Sequence, residues 1–474
     1  HAHELADHVR PLGPEELESH LDPGEFRAQL VGEAERRIAG GEVERQDQAP
    51  PGVGLASGRV HRVGLARLEE GPDAAEFLEY VGINSFANFG LNRAKHFVPV
   101  TPAGHVIGDM IIFRERDDKF VLVGRSPTAN WVKFQAAINK FKVSLIHDPR
   151  SDSRPDGRAI YRTHYRFQIQ GPQAGAIFEK MNGGPIPEVK FFHVDWINVG
   201  SRRVQALRHG MAGAPGLEVW GPYVDKPYIQ TTIMEAAEAA GVDLRLVGSR
   251  AYSTNTLESG WIPSPLPGIY TGDDMMKDYR DWLHSTDYEA VCSVGGSLVS
   301  DNVEDYNVDP FELGYGFYIG WKTDFIGKDA LAKLKEAGTS RQKVTIEWNR
   351  DDLMEVIASN FTEGTPYKWV DLPQPNYASS SADLLMRDGK QVGMSMFNGY
   401  SYNERCMLSL AVVDKSVEVG DQLTLVWGEP DETGKTSIEL PHRQAEIRVK
   451  VAPTPYAKDA RENYAESWRT KGTK

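Results

Sequence analysis

The chain has 474 residues, too many for one hydrophobic core, so two to four domains are expected at the usual ~100–200 residues each. Its formal net charge is −14, with Lys+Arg 53 against Asp+Glu 67 and no long basic run, which excludes a protein that grips nucleic acid by neutralising phosphates. Hydrophobic (40%) and charged (25%) contents are ordinary globular values, so disordered and fibrous classes are excluded as well.

Residues 1–70 stand apart. Phe26 is the only aromatic residue there, and all eight Lys/Arg positions are arginine. "GPEELESHL" and "GEFRAQLVGEAERRIAGG" have helical composition, whereas "QDQAPPGVGLASG" reads as turn chemistry without an apolar stripe. The acidic N-terminus has neither a basic n-region nor an apolar h-region, and no run approaches the ~20 apolar residues of a membrane span.

From about residue 63 a unit of short strand, Gly turn, Pro at the first helical position and amphipathic helix begins. It occurs as "VGLARLEEGPDAAEFLEYVG" and again as "RFQIQGPQAGAIFEKMNGG", where Ile177, Phe178 and Met181 share a helix face and Gly183–Gly184 supplies the stop. The recurrence predicts duplicated α+β halves. Between the copies, "HVIGDMIIFRERDDKFVLVGR" predicts a hairpin turning near Asp117–Asp118, with Arg125 and the loop residue Asn130 just beyond its second strand. "IQTTIMEAAEAAGVDL" and "GKDALAKLKEAG" predict helices closed by Gly241 and Gly338. After Gly338 the pattern is strands alone: "QKVTIEW", "ADLLMRDGKQVGMSMF" with its Asp388–Gly389 hairpin signal, "MLSLAVVD", "DQLTLVW" and "QAEIRVKV" predict a β-barrel-like domain with its boundary near residue 340.

Common catalytic signatures are missing. "GMAGAPG" is not a dinucleotide or phosphate loop, no serine sits in GxSxG, and the histidines form no HExxH, so no metal is predicted. Cys292 and Cys406 have no metal or disulfide spacing and predict structural thiols in a reducing, cytoplasmic setting. Polar residues embedded in Gly-, Pro- and Trp-rich turns remain. Glu218 falls inside the apolar strand Leu217–Trp220 and must find donors. Two readings stand: an ion pair with Arg202, Arg203 or Arg208, or a carboxylate accepting paired N–H groups from a flat heterocycle such as a pterin.

The stretches "RHGMAGAPGLEVWGP", "GSRAYSTNTLESGWIPSPLPGIYTGD" and "GYGFYIGWKTDFIGKDAL" resemble the glycine-cleavage T-protein (aminomethyltransferase) superfamily. "AKHFVPVTPAGHVIGD", "VGRSPTANW", "RFQIQGP" and "GMSMFNGYSYNE" narrow the resemblance to its aryl branch, the tetrahydrofolate-dependent O-demethylases of vanillate, syringate and 3-O-methylgallate. The resemblance implies an α+β cloverleaf: residues 63–340 as two intertwined folate-binding domains and 341–474 as a C-terminal β-barrel-like domain. It also implies transfer of an aryl methyl group to tetrahydrofolate, releasing a phenol and 5-methyltetrahydrofolate, with an aromatic acid and the folate as partners. Nucleic acid and membrane are not expected as partners, and oligomeric state is not legible.

Residue by residue, Tyr252 matches the family's acid in its "RAY" motif. A tyrosine's ordinary pKa of ~10 lies near that of a simple phenol, so handing a proton to a departing phenolate is nearly balanced. Arg125 matches an arginine that pairs with the substrate carboxylate, a task suited to a planar guanidinium fork. Trp261 matches an aromatic wall of the substrate pocket, or else packs the Pro263–Pro267 turn. Glu218 matches the pterin-binding glutamate, and Asn130 is a second folate candidate. The match fails in residues 1–62, where the family's aromatic and Gln/His pocket residues are absent and His61 is an approximate substitute. Divergence for another substrate, an out-of-frame N-terminus and a non-catalytic folate-binding paralogue all fit that departure. Demethylation of a small non-aromatic methyl donor is the alternative activity; Arg125 and Tyr252 argue against it, since a cationic donor has no use for an arginine.

Overall fold

In the computed structural model, which describes residues 53–57, 63–69, 71–148, 164–209, 214–263, 265–375, 378–430 and 441–462, both copies of the strand–turn–helix unit are present. The chain divides into two units at Pro50, and every described residue lies in the second. The predictions for residues 1–52 and 58–62, His61 included, fall outside the described residues.

The first sheet has the order β11-β1-β7-β10-β9-β8. Its strands are β1 (Val53–Ser57), β7 (His164–Gln170), β8 (Val194–Val199), β9 (Arg202–Leu207), β10 (Gly216–Pro222) and β11 (Leu244–Val247). β1 runs parallel to β11 and antiparallel to β7. The stretch expected to be a turn is therefore a strand from Val53 onward; flanking Pro and Gly masked five residues that complete an already hydrogen-bonded sheet.

The period-two alternation of β7 and β10 divides the residues between two faces. Tyr165, Phe167, Ile169, Leu217 and Val219 point to one side, where they bury against Ile177, Phe178 and Met181 of the Ala174–Asn182 helix and Ile229 and Ile233 of the Lys226–Ala239 helix. Arg166, Gln168 and Gln170 of β7 and Glu218 and Trp220 of β10 share the other side. Gly216 opens β10 where the two backbones crowd: at φ +156, an added Cβ would stand 2.1 Å from the Ile169 carbonyl oxygen.

The second sheet, β3-β4-β5-β2-β6, is antiparallel throughout. It comprises β2 (Val63–Glu69), β3 (Arg93–Phe97), β4 (Met110–Arg114), β5 (Phe120–Arg125) and β6 (Ser144–Asp148), with the expected turn falling between β4 and β5. Phe97, Met110, Ile112, Phe120 and Leu122 pack on the Ala74–Val81 and Ser126–Ile138 helices. Ala94, Phe113 and Val121, on the opposite face, meet Leu207 and Trp220 of the first sheet. In both units the helix starts two residues after the proline, at Ala74 and Ala174, rather than at it.

The C-terminal strands close a barrel in the order β13-β17-β16-β15-β18-β19. They are β13 (Arg341–Trp348), β15 (Asp383–Arg387), β16 (Lys390–Ser401), β17 (Cys406–Asp414), β18 (Gln422–Trp427) and β19 (Ala445–Ala452); a short pair, β12 (Val294–Gly295) with β14 (Ser380–Ser381), lies outside it. The Asp388–Gly389 turn has positive φ at both residues, as a tight hairpin between twisted strands requires. The all-strand expectation fails at two places among the described residues: a helix, Arg350–Ser359, follows β13, started by Asn349 whose side chain accepts from the backbone N–H of Asp351 and Asp352, and a short helix, Lys458–Glu462, follows β19.

Candidate active site

The polar face of the first sheet carries the first group of site residues. Glu218 stands directly across from Gln168 in the β7–β10 register. Its Oε1 accepts from Arg166 Nε at 2.8 Å, and both side chains are largely buried. The expected partners Arg202, Arg203 and Arg208 are not used. Arg166 comes from the facing strand, two residues from Gln168 and on the same face, whereas Arg202 at the far end of β9 pairs with Asp225. His209 Nδ1 lies 3.9 Å from Glu218 Oε2, but burial pushes that imidazole down to about 3, so it faces the carboxylate uncharged.

Tyr252 reaches the same row. Its hydroxyl donates to Gln168 Oε1 at 2.5 Å. Gln168 is buried, and among the described residues its Nε2 has no hydrogen-bond partner. A buried amide N–H without an acceptor is costly, so this face carries an open donor beside an anionic acceptor.

A second group gathers around the Pro263–Pro267 turn. Trp261 Nε1 donates to Asp109 Oδ2 at 2.6 Å, and the same oxygen meets His96 Nε2 at 2.7 Å and the Tyr315 hydroxyl at 3.2 Å. Lys343, reaching in from β13, donates to the Gly260 carbonyl at 2.7 Å; burial pushes its ammonium down to about 8, with Asp109 opposing. Arg125, the last residue of β5, donates through Nη1 to the Pro263 carbonyl at 2.9 Å and through Nη2 to the Tyr288 hydroxyl at 3.0 Å. Its plane lies over the Tyr288 ring at 5.0 Å. Those bonds occupy two of the five guanidinium N–H groups, so the fork retains donors for a carboxylate.

Asn130 is not in a loop. The Ser126–Ile138 helix starts directly after Arg125 because Ser126–Pro127 suits a first turn, and this buries Asn130 on the helix. Its Nδ2 donates to Glu289 at 3.0 and 3.3 Å, and Tyr279 donates to the same carboxylate at 2.9 Å. Burial pushes the Glu289 carboxyl up, against these hydrogen bonds.

The two groups are joined by the chain itself, since Tyr252 lies in the first of two consecutive short helices, Ser249–Ser253 and Asn255–Ser259, and Trp261 follows the second. Helices this short are not stable alone, and side chains hold them. Arg250 pairs with Asp371 at 2.5 Å, and Ser253 donates to Gln374 at 2.6 Å. On the barrel side, buried Glu258 accepts from Ser401 at 2.5 Å and Asn403 at 3.0 Å, residues of "NGYSYNE".

Residues 65–264 match the family described as the GCVT N-terminal domain. The chain is 45% identical over 406 residues to the syringate O-demethylase of Sphingobium sp. (strain NBRC 103272 / SYK-6), covering 85% of this chain and 86% of that protein. This chain belongs to the tetrahydrofolate-dependent aryl O-demethylases of the aminomethyltransferase superfamily. A sesamin methylene transferase of Sinomonas sp. (strain No.22) is 28% identical over 402 residues, covering 81% of this chain and 82% of its own length. The crystal structure of glycine cleavage system aminomethyltransferase T from Bartonella henselae shares the fold at TM-score 0.54 and 16% identity, with 86% of this chain and 87% of that chain covered.

The demethylases of this superfamily use tetrahydrofolate, and the polar face of the first sheet fits it. A pterin edge offers N–H donors beside a carbonyl acceptor, and Glu218 with the unpartnered Nε2 of Gln168 presents the complementary pair. Gln168, Arg166 and Asp109 escaped the sequence reading. For the first two, the signal was the alternation in "HYRFQIQ", whose charged and amide side chains fall on one face. Asp109 carried no such signal, because its partner Trp261 lies 152 residues away.

Proposed function

We propose that the chain removes the methyl group of a methoxy-substituted aromatic acid of the vanillate, syringate or 3-O-methylgallate type, giving a phenol and 5-methyltetrahydrofolate. The observation that carries this reading is the Tyr252 hydroxyl held on Gln168, in the same strand pair as Glu218, which sets a phenolic acid beside a pterin-compatible edge.

Tetrahydrofolate, when bound, supplies N5 as the methyl acceptor. Glu218 and Gln168 would hold the pterin edge, and Arg166 orients Glu218 through its Nε. Arg125 takes the substrate carboxylate with its remaining N–H groups, and Tyr288 and the Pro263 carbonyl fix the fork. Trp261, pinned by Asp109, walls the aromatic ring. As the methyl carbon–oxygen bond breaks, charge grows on the aryl oxygen, and Tyr252 turns its proton from Gln168 to that oxygen; the proton that the acceptor amine would lose on methylation restores the tyrosine, so the net products are the phenol and the methylated amine. Asn130 supports the Arg125 corner through Glu289. A cytoplasmic site of action belongs to this proposal, on a composition with two cysteines and no disulfide framework; no helix among the described residues is long and apolar enough to cross a membrane.

The test is anaerobic incubation with tetrahydrofolate and each of the three methoxybenzoates, following phenol and 5-methyltetrahydrofolate by chromatography. Stoichiometric appearance of both is expected for at least one acid. Absence of product from all three overturns the proposal.

A further inference from the structure

Arg125 caps the Ser126–Ile138 helix and Asn130 lies within its first turns; Tyr288 and Glu289 are consecutive residues that open the short helix Tyr288–Val291. The two pairs meet twice. Arg125 Nη2 donates to the Tyr288 hydroxyl at 3.0 Å, and Asn130 Nδ2 donates to the Glu289 carboxylate at 3.0 and 3.3 Å. A helix of one turn has no stability of its own, so these bonds fix where Tyr288 stands.

The two neighbours divide by charge. Tyr288 gives Arg125 a neutral oxygen: burial pushes its hydroxyl above the usual tyrosine range, against the pull of Arg125, and its proton goes to the Ser379 carbonyl at 3.3 Å. The other partner of the guanidinium, the Pro263 carbonyl at 2.9 Å, is neutral too. Glu289, the acid next in sequence, is turned instead to Asn130 and to the Tyr279 hydroxyl at 2.9 Å. Among the described residues Arg125 therefore makes no ion pair with a carboxylate, whereas Arg166, Arg250 and Arg341 bond Glu218, Asp371 and Glu312. A cation fixed by neutral partners keeps its full charge for an anionic ligand; one already bonded to an acid does not.

We propose that Tyr288 is a positioning residue that makes the enzyme select an acid: it fixes the Arg125 guanidinium without neutralising it, so that a ring carboxylate is preferred over a neutral group of the same shape. This rests on the reading of Arg125 as the fork for the substrate carboxylate. Tyr288 acts through Arg125 and takes no part in methyl transfer, so its effect falls on KM and not on kcat.

Anaerobic steady-state kinetics with tetrahydrofolate tests it, on vanillate, syringate and 3-O-methylgallate, each beside its own primary amide. An amide that is not turned over is read as a competitive inhibitor. For the acid that is demethylated, the parent should favour acid over amide about 100-fold, the scale of a bidentate charged contact. Tyr288→Phe keeps the ring beside the cation but loses the oxygen that holds it. It should raise the KM of the acid about tenfold, one hydrogen bond to a charged group, with kcat and the amide constant within about twofold of the parent. The acid-to-amide ratio is read on folded enzyme alone, so a variant that folds only in part still reports it. A variant that keeps the parent ratio overturns the proposal, whether its constants are unchanged or acid and amide weaken together as a packing role requires. A parent that takes acid and amide alike overturns the reading of Arg125 and the proposal with it; a parent that discriminates beside a Tyr288→Phe that does so equally overturns the proposal alone.

Discussion

The helices Ala74–Val81 and Ala174–Asn182 each follow a strand and a Gly-Pro turn, and each buries a phenylalanine completely, Phe77 and Phe178. The difference lies on the face each sheet turns away from its helices. In the second sheet that face is Ala94, Phe113 and Val121, closed against its neighbour. In the first it is apolar only near Leu207 and Trp220, and then becomes Gln168 and Glu218. The helix-facing sides carry stability in both halves; on the other side the first half presents the polar pair Gln168 and Glu218, and the second brings Arg125, in alternation with Val121 and Val123, to the end of β5. Because side chains alternate along a strand, the polar pair leaves Phe167, Ile169, Leu217 and Val219 in place.

The comparison can be broken most sharply at the acid. Tyr252→Phe should lower kcat by roughly 10²–10⁴-fold, the usual scale of general acid catalysis, while folate affinity by calorimetry stays within about twofold. A small rate loss would remove Tyr252 from the chemistry. Next come the paired deletions Phe77→Ala and Phe178→Ala. Each should cost about 3–5 kcal/mol in urea unfolding, and similar values would show that the halves are equivalent on their helix-facing sides. Glu218→Gln should weaken folate binding roughly 10- to 100-fold, because it removes a charge-assisted acceptor and leaves Arg166 buried without its anion; unchanged folate affinity would return Glu218 to a structural role.

The smallest effect lies in the barrel, outside both halves. Burial pushes the Asp383 carboxyl up to about 7, with Lys368 opposing. The folded state then holds a proton that the unfolded chain releases near pH ~4. That contribution to stability is complete below pH ~4 and is lost as pH rises through 7. Asp383→Asn should therefore match the parent melting temperature near pH 4 and exceed it by a few degrees at pH 8. Parallel melting curves across that range would show that Asp383 is not buried as a neutral acid.

Local chemistry written into the chain was legible. The Asp388–Gly389 hairpin, the helix faces around Phe77 and Phe178 and the strands of the barrel follow from turn residues and periodicity. Tyr252, Arg125, Trp261 and Glu218 were reached through motif resemblance, and Glu218 also through the oddity of a carboxylate within an apolar strand. What escaped depends on partners distant in sequence. β1 is a strand because β7 and β11 hydrogen-bond it from both sides, which five residues after Pro-Pro-Gly do not announce. The Arg350–Ser359 helix depends on a single asparagine cap in a polar run. Asn130 reads as a loop residue because it follows so soon after a strand, yet a helix opens directly at Ser126–Pro127 and carries it.

Glu258 ties the segment that carries Tyr252 to Ser401 and Asn403 of the barrel. Tyr252, the proton donor we propose, therefore stands on a short helix whose neighbour in the chain answers to the last domain. Evolution cannot exchange that domain between relatives as an inert lid, since a chimera with a mismatched Ser–x–Asn would leave the donor adrift while both sheets stayed sound. Inheritance of the barrel and of the acid is one event.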